Sequence, residues 1–265
     1  MDITYWLIYL AVGVFVGFFA GLLGIGGGAV MVPILSLTFA MRGFSSDHVV
    51  HMALATSMAT IIPGGMASAW THHKHNAVNW LVVKQMLPGI LVGTFSGAVI
   101  AHFSSTAFLK SFFVAFICFL ALQLLFDFKP KARTTLPGAG VMFTLGMVMG
   151  VISSFAGIGG AVLSIAFLGW CNIRMHEAIG TAAAIGVPLA IAGTIGFVVT
   201  GMFDHDLPEW SLGYVYLPAF LGIAITSFAI APLGAKLAHR MPVKVLRRVF
   251  VVFLVVLAVK MAVSV

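Results

Sequence analysis

The sequence predicts an all-α polytopic membrane protein made of two inverted repeats, each a glycine-broken helical hairpin plus three transmembrane helices. Three observations carry this. Hydrophobic residues are 61% of the 265-residue chain and charged residues 8%, with a mean hydropathy of +1.13, which leaves too little polar material to coat a water-facing surface. Six apolar runs reach the roughly 20 residues needed to cross a bilayer: 49–71, 80–102, 107–126, 177–202, 211–232 and 245–263. Finally, GLLGIGGGAV at 21–30 returns as SFAGIGGAVL at 154–163, carrying Gly24 onto Gly157, 133 residues later.

The first element, 4–41, is too long for one helix and short for two full spans, and glycines break it near its middle; 137–170 repeats the pattern. Each is either one long tilted helix or a hairpin that returns to its starting side. Loop charge decides between them. With hairpins, eleven of the fourteen basic residues share one face (Lys74, Lys84, Lys129, Lys131, Arg133, Arg174, Lys236, Arg240, Lys244, Arg247, Arg248), leaving Arg42, Lys110 and Lys260 on the other. Single crossings give six against eight. The excess of Lys and Arg in cytoplasmic loops favours the hairpins, with the 127–136 connector in the cytoplasm and both termini outside. The acidic loop Asp204, His205, Asp206 and Glu209 then also faces outside. The first repeat occupies 1–126 and the second 137–265. A hairpin plus three spans is an odd number of passages, so the second repeat enters upside down.

Further matches support the duplication. His51, Thr56 and Pro63 fall on His176, Thr181 and Pro188 at an offset of 125, Trp80 and Pro88 on Trp210 and Pro218 at 130, and 109–120 on 246–257 at 137. Such drift is what loop insertions leave in an old repeat. Asp2 precedes the first apolar run without a basic segment, so a removable signal peptide is not expected. The net charge of +7 sits in short loops between spans, where it orients the protein in the lipid bilayer; nucleic acid is excluded as a partner. Cys118 lies in a span and Cys171 beside a loop, and no disulfide is expected.

In the apolar membrane interior, unwound backbone survives only where protein or a watery cavity surrounds it. Gly24, Gly26, Gly27 and Gly28 supply backbone freedom without side chains, and Gly157, Gly159 and Gly160 repeat the arrangement from the opposite side. The helix that starts after each cluster carries about half a positive charge and several unpaired N–H donors at its N-terminus, an anion site without a buried cation. Close helix packing is the simpler use of membrane glycines; it suits Gly17, Gly21, Gly146 and Gly150, but does not require three adjacent helix-weakening residues. A nucleotide phosphate loop is excluded, because no Gly-Lys-Ser follows either cluster.

Thr56 and Ser57 with Thr181 are the hydroxyls expected to complete an anion's hydrogen bonds, and Ser153 and Ser154 precede the second glycine cluster. Membrane Ser and Thr often bond their own backbone instead. His51 and His176 match across the repeat and could carry coupling protons. The run His72, His73, His75 reads as an interfacial basic patch with Lys74 rather than a metal site, and no metal is expected. Lys84 snorkels from a span end, Gln85 could face the path, and Glu177 opens a helix where a carboxylate suits the dipole. An intramembrane enzyme would need a catalytic pair at midplane depth, and no carboxylate, Ser-Lys or His-Glu pair is placed there.

GLLGIGGGAVMVPIL with its degenerate second copy, the ATS triplet at 55–57 and the duplicated plan over essentially the whole chain resemble the TauE/SafE family of sulfite exporters and anion permeases. The second copy departs from the first, with Ala161 at the place of Gly28 and Ala166 at that of Pro33. The resemblance implies a bacterial or archaeal inner-membrane carrier of sulfite, sulfonates or related small anions, with no ATP-binding subunit and no cofactor. The expected function is therefore secondary transport of a small oxyanion by alternating access around the two glycine breaks. An anion channel using the same site, or a carrier of carboxylates or other sulfur compounds, is the alternative. Substrate identity, direction, coupling ion and oligomeric state, a homo-oligomer included, stay open at this point.

Overall fold

A computed structural model describes residues 3–23, 27–126, 136–238 and 243–264. Gly24, Gly26, most of the 127–136 connector and the Arg240 loop lie outside these residues. Ten described helices form the fold: α1 (Ile3–Leu23), α2 (Gly28–Met41), α3 (Val49–Lys74), α4 (Trp80–His102), α5 (Thr106–Phe126), α6 (Ala139–Ala156), α7 (Ala161–Trp170), α8 (Met175–Gly201), α9 (Leu217–Ala238) and α10 (Val243–Ser264). A short antiparallel ribbon, β1 (Ser211–Leu212) with β2 (Val215–Tyr216), precedes α9 and pairs Ser211 with Tyr216 and Leu212 with Val215. Val49–Lys74, Trp80–His102, Thr106–Gln123, Ala139–Ala156 and Met175–Gly201 are each long and apolar enough to cross a membrane. The chain is an all-α, multi-pass membrane protein.

Each broken element folds back. The Arg42 guanidinium, just past α2, lies 4.6 Å over the Tyr5 ring and 3.5 Å from the Tyr9 hydroxyl near the start of α1. Leu136 before α6 and Cys171 after α7 line one cavity of about 330 Å³, together with Asn79, Asn172, Ile173, Arg174 and Glu177. The two hairpins therefore open at different ends of the bundle. One end holds Tyr5, Arg42 and the β-ribbon and is called here the Tyr214 end; the other, the Asn79 end, holds the 330 Å³ cavity.

At the centre α3 and α8 run antiparallel. The backbone of Gly180 abuts Ala77 and His72, Gly65 meets Val187, and Gly193 meets Met58, so Pro63 and Pro188, both inside their helices, fall at the crossing. Around this pair the halves exchange arms: α1 packs along α9, and α6 along α4. Small residues permit both contacts. A Cβ on Gly17 would stand 2.5 Å from Ser227 Cα, and one on Gly146 and Gly150 would stand 2.6 Å from Met86 O and Thr94 N. These glycines are packing residues, because no larger side chain fits between the helices.

One expected span begins elsewhere. Residues 211–216, read as the start of a 211–232 helix, form the ribbon, and α9 starts at Leu217. Trp210 and Gly213 both take positive φ, 68° and 53°, which a helix does not accommodate. The helix starts Trp80 and Leu217, and Thr106 and Val243, both match at an offset of 137. Trp80 and Pro88 therefore do not correspond to Trp210 and Pro218: Pro88 is interior to α4, whereas Pro218 is the second residue of α9. The cause is the longer α8–α9 connection, 202–216 against 75–79 between α3 and α4.

Candidate functional site

The second break is fully described. α6 ends on Gly157 (φ 58°, ψ 31°), where Ile158 N–H donates to Ser153 O at 3.2 Å, and α7 starts after Gly160 (φ 67°, ψ −3°). Gly27 caps α2 in nearly the same left-handed conformation, φ 70° and ψ −16°. An L side chain in that conformation costs roughly 1–2 kcal/mol, which explains glycine at both helix starts.

The two breaks touch. A methyl group on Gly28 would stand 2.5 Å from the Gly157 carbonyl oxygen and 3.1 Å from Ile158 Cα. The Ser57 hydroxyl donates to the same Gly157 oxygen at 2.8 Å. Ile61 of α3 reaches both sides, 3.2 Å from a Gly28 Cβ and 3.1 Å from a Gly159 Cβ, while the Gly159 oxygen lies 2.9 Å from a Gly186 Cβ on α8. The start of α2 therefore abuts the C-terminal cap of α6, four residues before α7 begins, between the middles of α3 and α8. At the start of α2, Val30 and Met31 N–H donate to Gly27 O at 3.0 and 3.1 Å, while the N–H groups of Gly28 and Ala29 precede the first intrahelical bond, and Gly27, Gly28 and Ala29 are buried. This end of a helix dipole is positive.

Hydroxyls surround the breaks, several of them without a protein partner. Ser153 is 1% exposed, has no hydrogen bond, and its Oγ would lie 3.3 Å from a Gly160 Cβ. Ser164, in the first turns of α7, and Ser36 on α2 are equally buried and unpaired, as is Thr94 Oγ1 on α4. Ser154 is committed, donating to Thr94 O at 2.8 Å. Ser164 and Thr94 escape a reading based on repeat-matched positions, since Ser164 falls on Met31 of the first copy; a lone hydroxyl just past a glycine break is the signal that could have found Ser164.

Thr56 and Thr181 are not brought together. The Thr56 hydroxyl accepts the Tyr216 N–H at 3.0 Å, and the Thr181 hydroxyl accepts the Asn79 N–H at 2.9 Å. The antiparallel pairing puts them roughly 20 Å apart along α3, at 1.5 Å rise per residue. Each ties the start of the next helix of the bundle, α9 or α4, to α3 or α8. Replacing either by valine is expected to lower unfolding stability by about 1–3 kcal/mol, the cost of a buried N–H left without its acceptor, in denaturant or thermal unfolding of detergent-solubilised protein, while anion binding is little changed.

His51 is 3% exposed and His176 is exposed, so the matched pair meets different surroundings. In the His72 to His75 run, Trp80 Nε1–H donates to His73 Nδ1 at 3.3 Å and His75 Nδ1 lies 2.8 Å from Thr71 O. No group of three metal-ligating side chains occurs among the described residues. Glu177 Oε1 accepts from Asn79 Nδ2 at 2.8 Å, and the Asn79 side chain in turn caps α4 by accepting Val82 N–H.

Among known proteins, a probable membrane transporter protein of Haemophilus influenzae is 36% identical over 259 residues, covering 97% of this chain and 98% of the relative. A probable membrane transporter protein of Methanocaldococcus jannaschii is 27% identical over 90% of this chain and 88% of its own. YdhB of Bacillus subtilis, also a probable membrane transporter protein, is 28% identical over 87% and 89%. No solved structure matches the chain. The sulfite exporter TauE/SafE family matches residues 9–261, and with nearly the whole chain inside that match the protein belongs to this family of membrane transporters.

Proposed function

We propose that the protein is a secondary transporter of a small oxyanion, sulfite or an organosulfonate, which binds between the two glycine breaks. The observation that carries this reading is the start of α2 packed against the second glycine break, Gly28 against Gly157 and Ile158, beside the unpaired hydroxyls of Ser153 and Ser164. Donors converge there without a carboxylate or a buried cation, a composition that suits an anion with several oxygens. The two halves are an inverted repeat in a bacterial or archaeal inner membrane, with the Asn79 end cytoplasmic, the Tyr214 end and both termini outside, and no covalent step catalysed.

Alternation between two open states is favoured over a channel by an asymmetry between α3 and α8. On α8, Leu189, Ala192, Gly193 and Gly196 are buried; the positions 125 residues earlier on α3, Gly64, Ala67, Ser68 and Thr71, are exposed. One small-residue face is covered and its counterpart is open, as in a carrier caught at one extreme of its cycle.

The test is a ligand panel read as thermal shift. A ligand that binds only folded protein stabilises it by about 2.7 kcal/mol at a hundred times Kd. Sulfite and small sulfonates are expected to stabilise the purified protein and to compete with one another; sodium, divalent metals and neutral sugars are not. Ser153→Ala is expected to remove most of that shift, since a hydrogen bond to a charged group is worth about 1.5–3 kcal/mol. A panel in which carboxylates shift the protein and no sulfur oxyanion does would move the substrate class; no shift by any anion would remove the site.

A further inference from the structure

A cluster of titratable side chains lies at the Tyr214 end, outside the anion site. The Tyr214 hydroxyl donates to Asp204 Oδ2 and stands 2.9 Å from His102 Nδ1. His48 Nδ1 and His102 Nδ1 lie 3.9 and 3.7 Å from that same carboxylate oxygen. The His51 ring stacks on Tyr214 at 5.3 Å between centroids and 27° between planes. Its Nε2–H donates to Ala101 O at 2.9 Å, while its Nδ1, like that of His48, is buried with no hydrogen-bond partner.

These residues come from four separate segments at this end. His48 caps α3 and His51 lies in its first turn; His102 ends α4; Asp204 follows α8; Tyr214 belongs to the ribbon connection. Burial first, then the hydrogen bond and charge of Asp204, push the Tyr214 phenol far above its ordinary range, so its one proton stays and points at the carboxylate. Hydrogen bonding of His102 to the phenol oxygen then requires a proton on His102 Nδ1. The cluster holds one negative charge among three imidazoles, two of which present buried nitrogens that nothing satisfies. The charged groups on adjoining elements are Asp47 before α3, Lys110 on α5, His205 and Asp206 in the Asp204 loop, and Arg42, which is engaged by Tyr216 and Tyr9 on the ribbon's other side.

We propose that His48, His51, His102, Asp204 and Tyr214 form a proton-binding site, and that the proton it takes up clamps the ribbon onto the start of α3 and the end of α4. A proton added to His48 or His102 turns a 3.7–3.9 Å contact with Asp204 into an ion pair spanning two elements, and cancels the cluster's single negative charge. A second proton places two imidazolium rings about one carboxylate, so it binds more weakly than the first. An imidazolium formed at low pH has the Asp204 carboxylate as its partner across two elements, so the clamp is made as the proton binds and is released as it leaves. The site stands on geometry apart from the glycine breaks, so it survives a failure of the anion reading. His176, the repeat partner of His51, is exposed at the other end and has no such surroundings.

The test is thermal unfolding of the purified full-length protein from pH 5 to pH 8, without any transported ligand. Wild-type protein is expected to melt several degrees higher at the acid end; Asp204→Asn, which keeps an acceptor for Tyr214, is expected to lose most of that rise, and His48→Gln and His102→Gln about half each. Tyr214→Phe is expected to lower the melting point by a similar amount at every pH. The wild-type slope surviving unchanged in Asp204→Asn overturns the proposal, as does a cluster that responds to a divalent metal rather than to pH. Should Asp204→Asn fail to fold, His48→Gln decides, because it leaves the Tyr214 to Asp204 bond intact.

Discussion

Gly28→Leu is expected to reduce transport in reconstituted vesicles to background while protein still reaches the membrane. Position 28 sits where the two breaks meet. Even a methyl group there would overlap the Gly157 carbonyl oxygen at 2.5 Å, and the opposing atom is backbone, which cannot swing aside. The start of α2 must move away from the second break, and its N–H donors move with it. Overpacking of this kind costs about 1–3 kcal/mol of stability, less than a folded domain's typical 5–15 kcal/mol. Gly159→Ala is the finer probe. Its φ is ordinary and its new methyl meets only the Ile61 Cγ2 methyl at 3.1 Å, which has to give by a few tenths of an ångström, so folding is retained while a carbon projects beside the proposed anion. A fall in transport of at least tenfold is expected, equivalent to about 1.4 kcal/mol. Gly140→Ala, with nothing within 4 Å of the new carbon, is the control. Normal transport by both Gly28→Leu and Gly159→Ala would place the substrate path elsewhere.

How much of this was legible from residues alone depends on the scale of the feature. Apolar runs of membrane-spanning length fix helices by themselves, which is why α4 is read at 80–102 as the structure has it. The expectation that 4–41 and 137–170 fold back rests on loop charge, since positive residues report sidedness without any contact being known. The left-handed turns at Gly27 and Gly160 follow from the glycines themselves. The ribbon was not legible, because Leu212, Val215 and Tyr216 are as apolar as a span, and only the positive φ at Trp210 and Gly213 excludes a helix. Thr56 and Thr181 were legible as a matched pair but not as separate anchors, because a match between antiparallel helices places equivalent residues at opposite ends unless they lie near the crossing. Ser57 sits closer to that crossing and does reach the second break. The Asp204 cluster could not be read at all, since it assembles side chains from 48 to 214 and depends on where the ribbon folds.

The open face of α3 gives the second large effect. With Cys118 and Cys171 replaced by Ser, Ala67→Cys is expected to react with a membrane-impermeant thiol reagent from the Asn79 end at least ten times faster than Ala192→Cys, its equivalent 125 residues later. Ala67 is exposed and Ala192 is 7% exposed. Exposure alone does not distinguish lipid from water, but the repeat does. Met66 and Trp70 are exposed, as are their equivalents Ile191 and Ile195, so this stripe faces lipid in both halves and should resist a polar reagent at either place. The additional exposure of Gly64, Ala67, Ser68 and Thr71 has no counterpart on α8, where α4 closes over the face: a Cβ on Gly193 would lie 3.0 Å from Thr94 Cγ2, and one on Gly196 2.7 Å from Ala98 Cβ. If α1 and α9 move as one arm, α4 and α6 as the other, saturating substrate that shifts the cycle must change the two rates in opposite directions, slowing one site as it quickens the other. A channel with the same anion site leaves both rates where they were, and equal labelling of Ala67→Cys and Ala192→Cys would show that the asymmetry between α3 and α8 is not a gate.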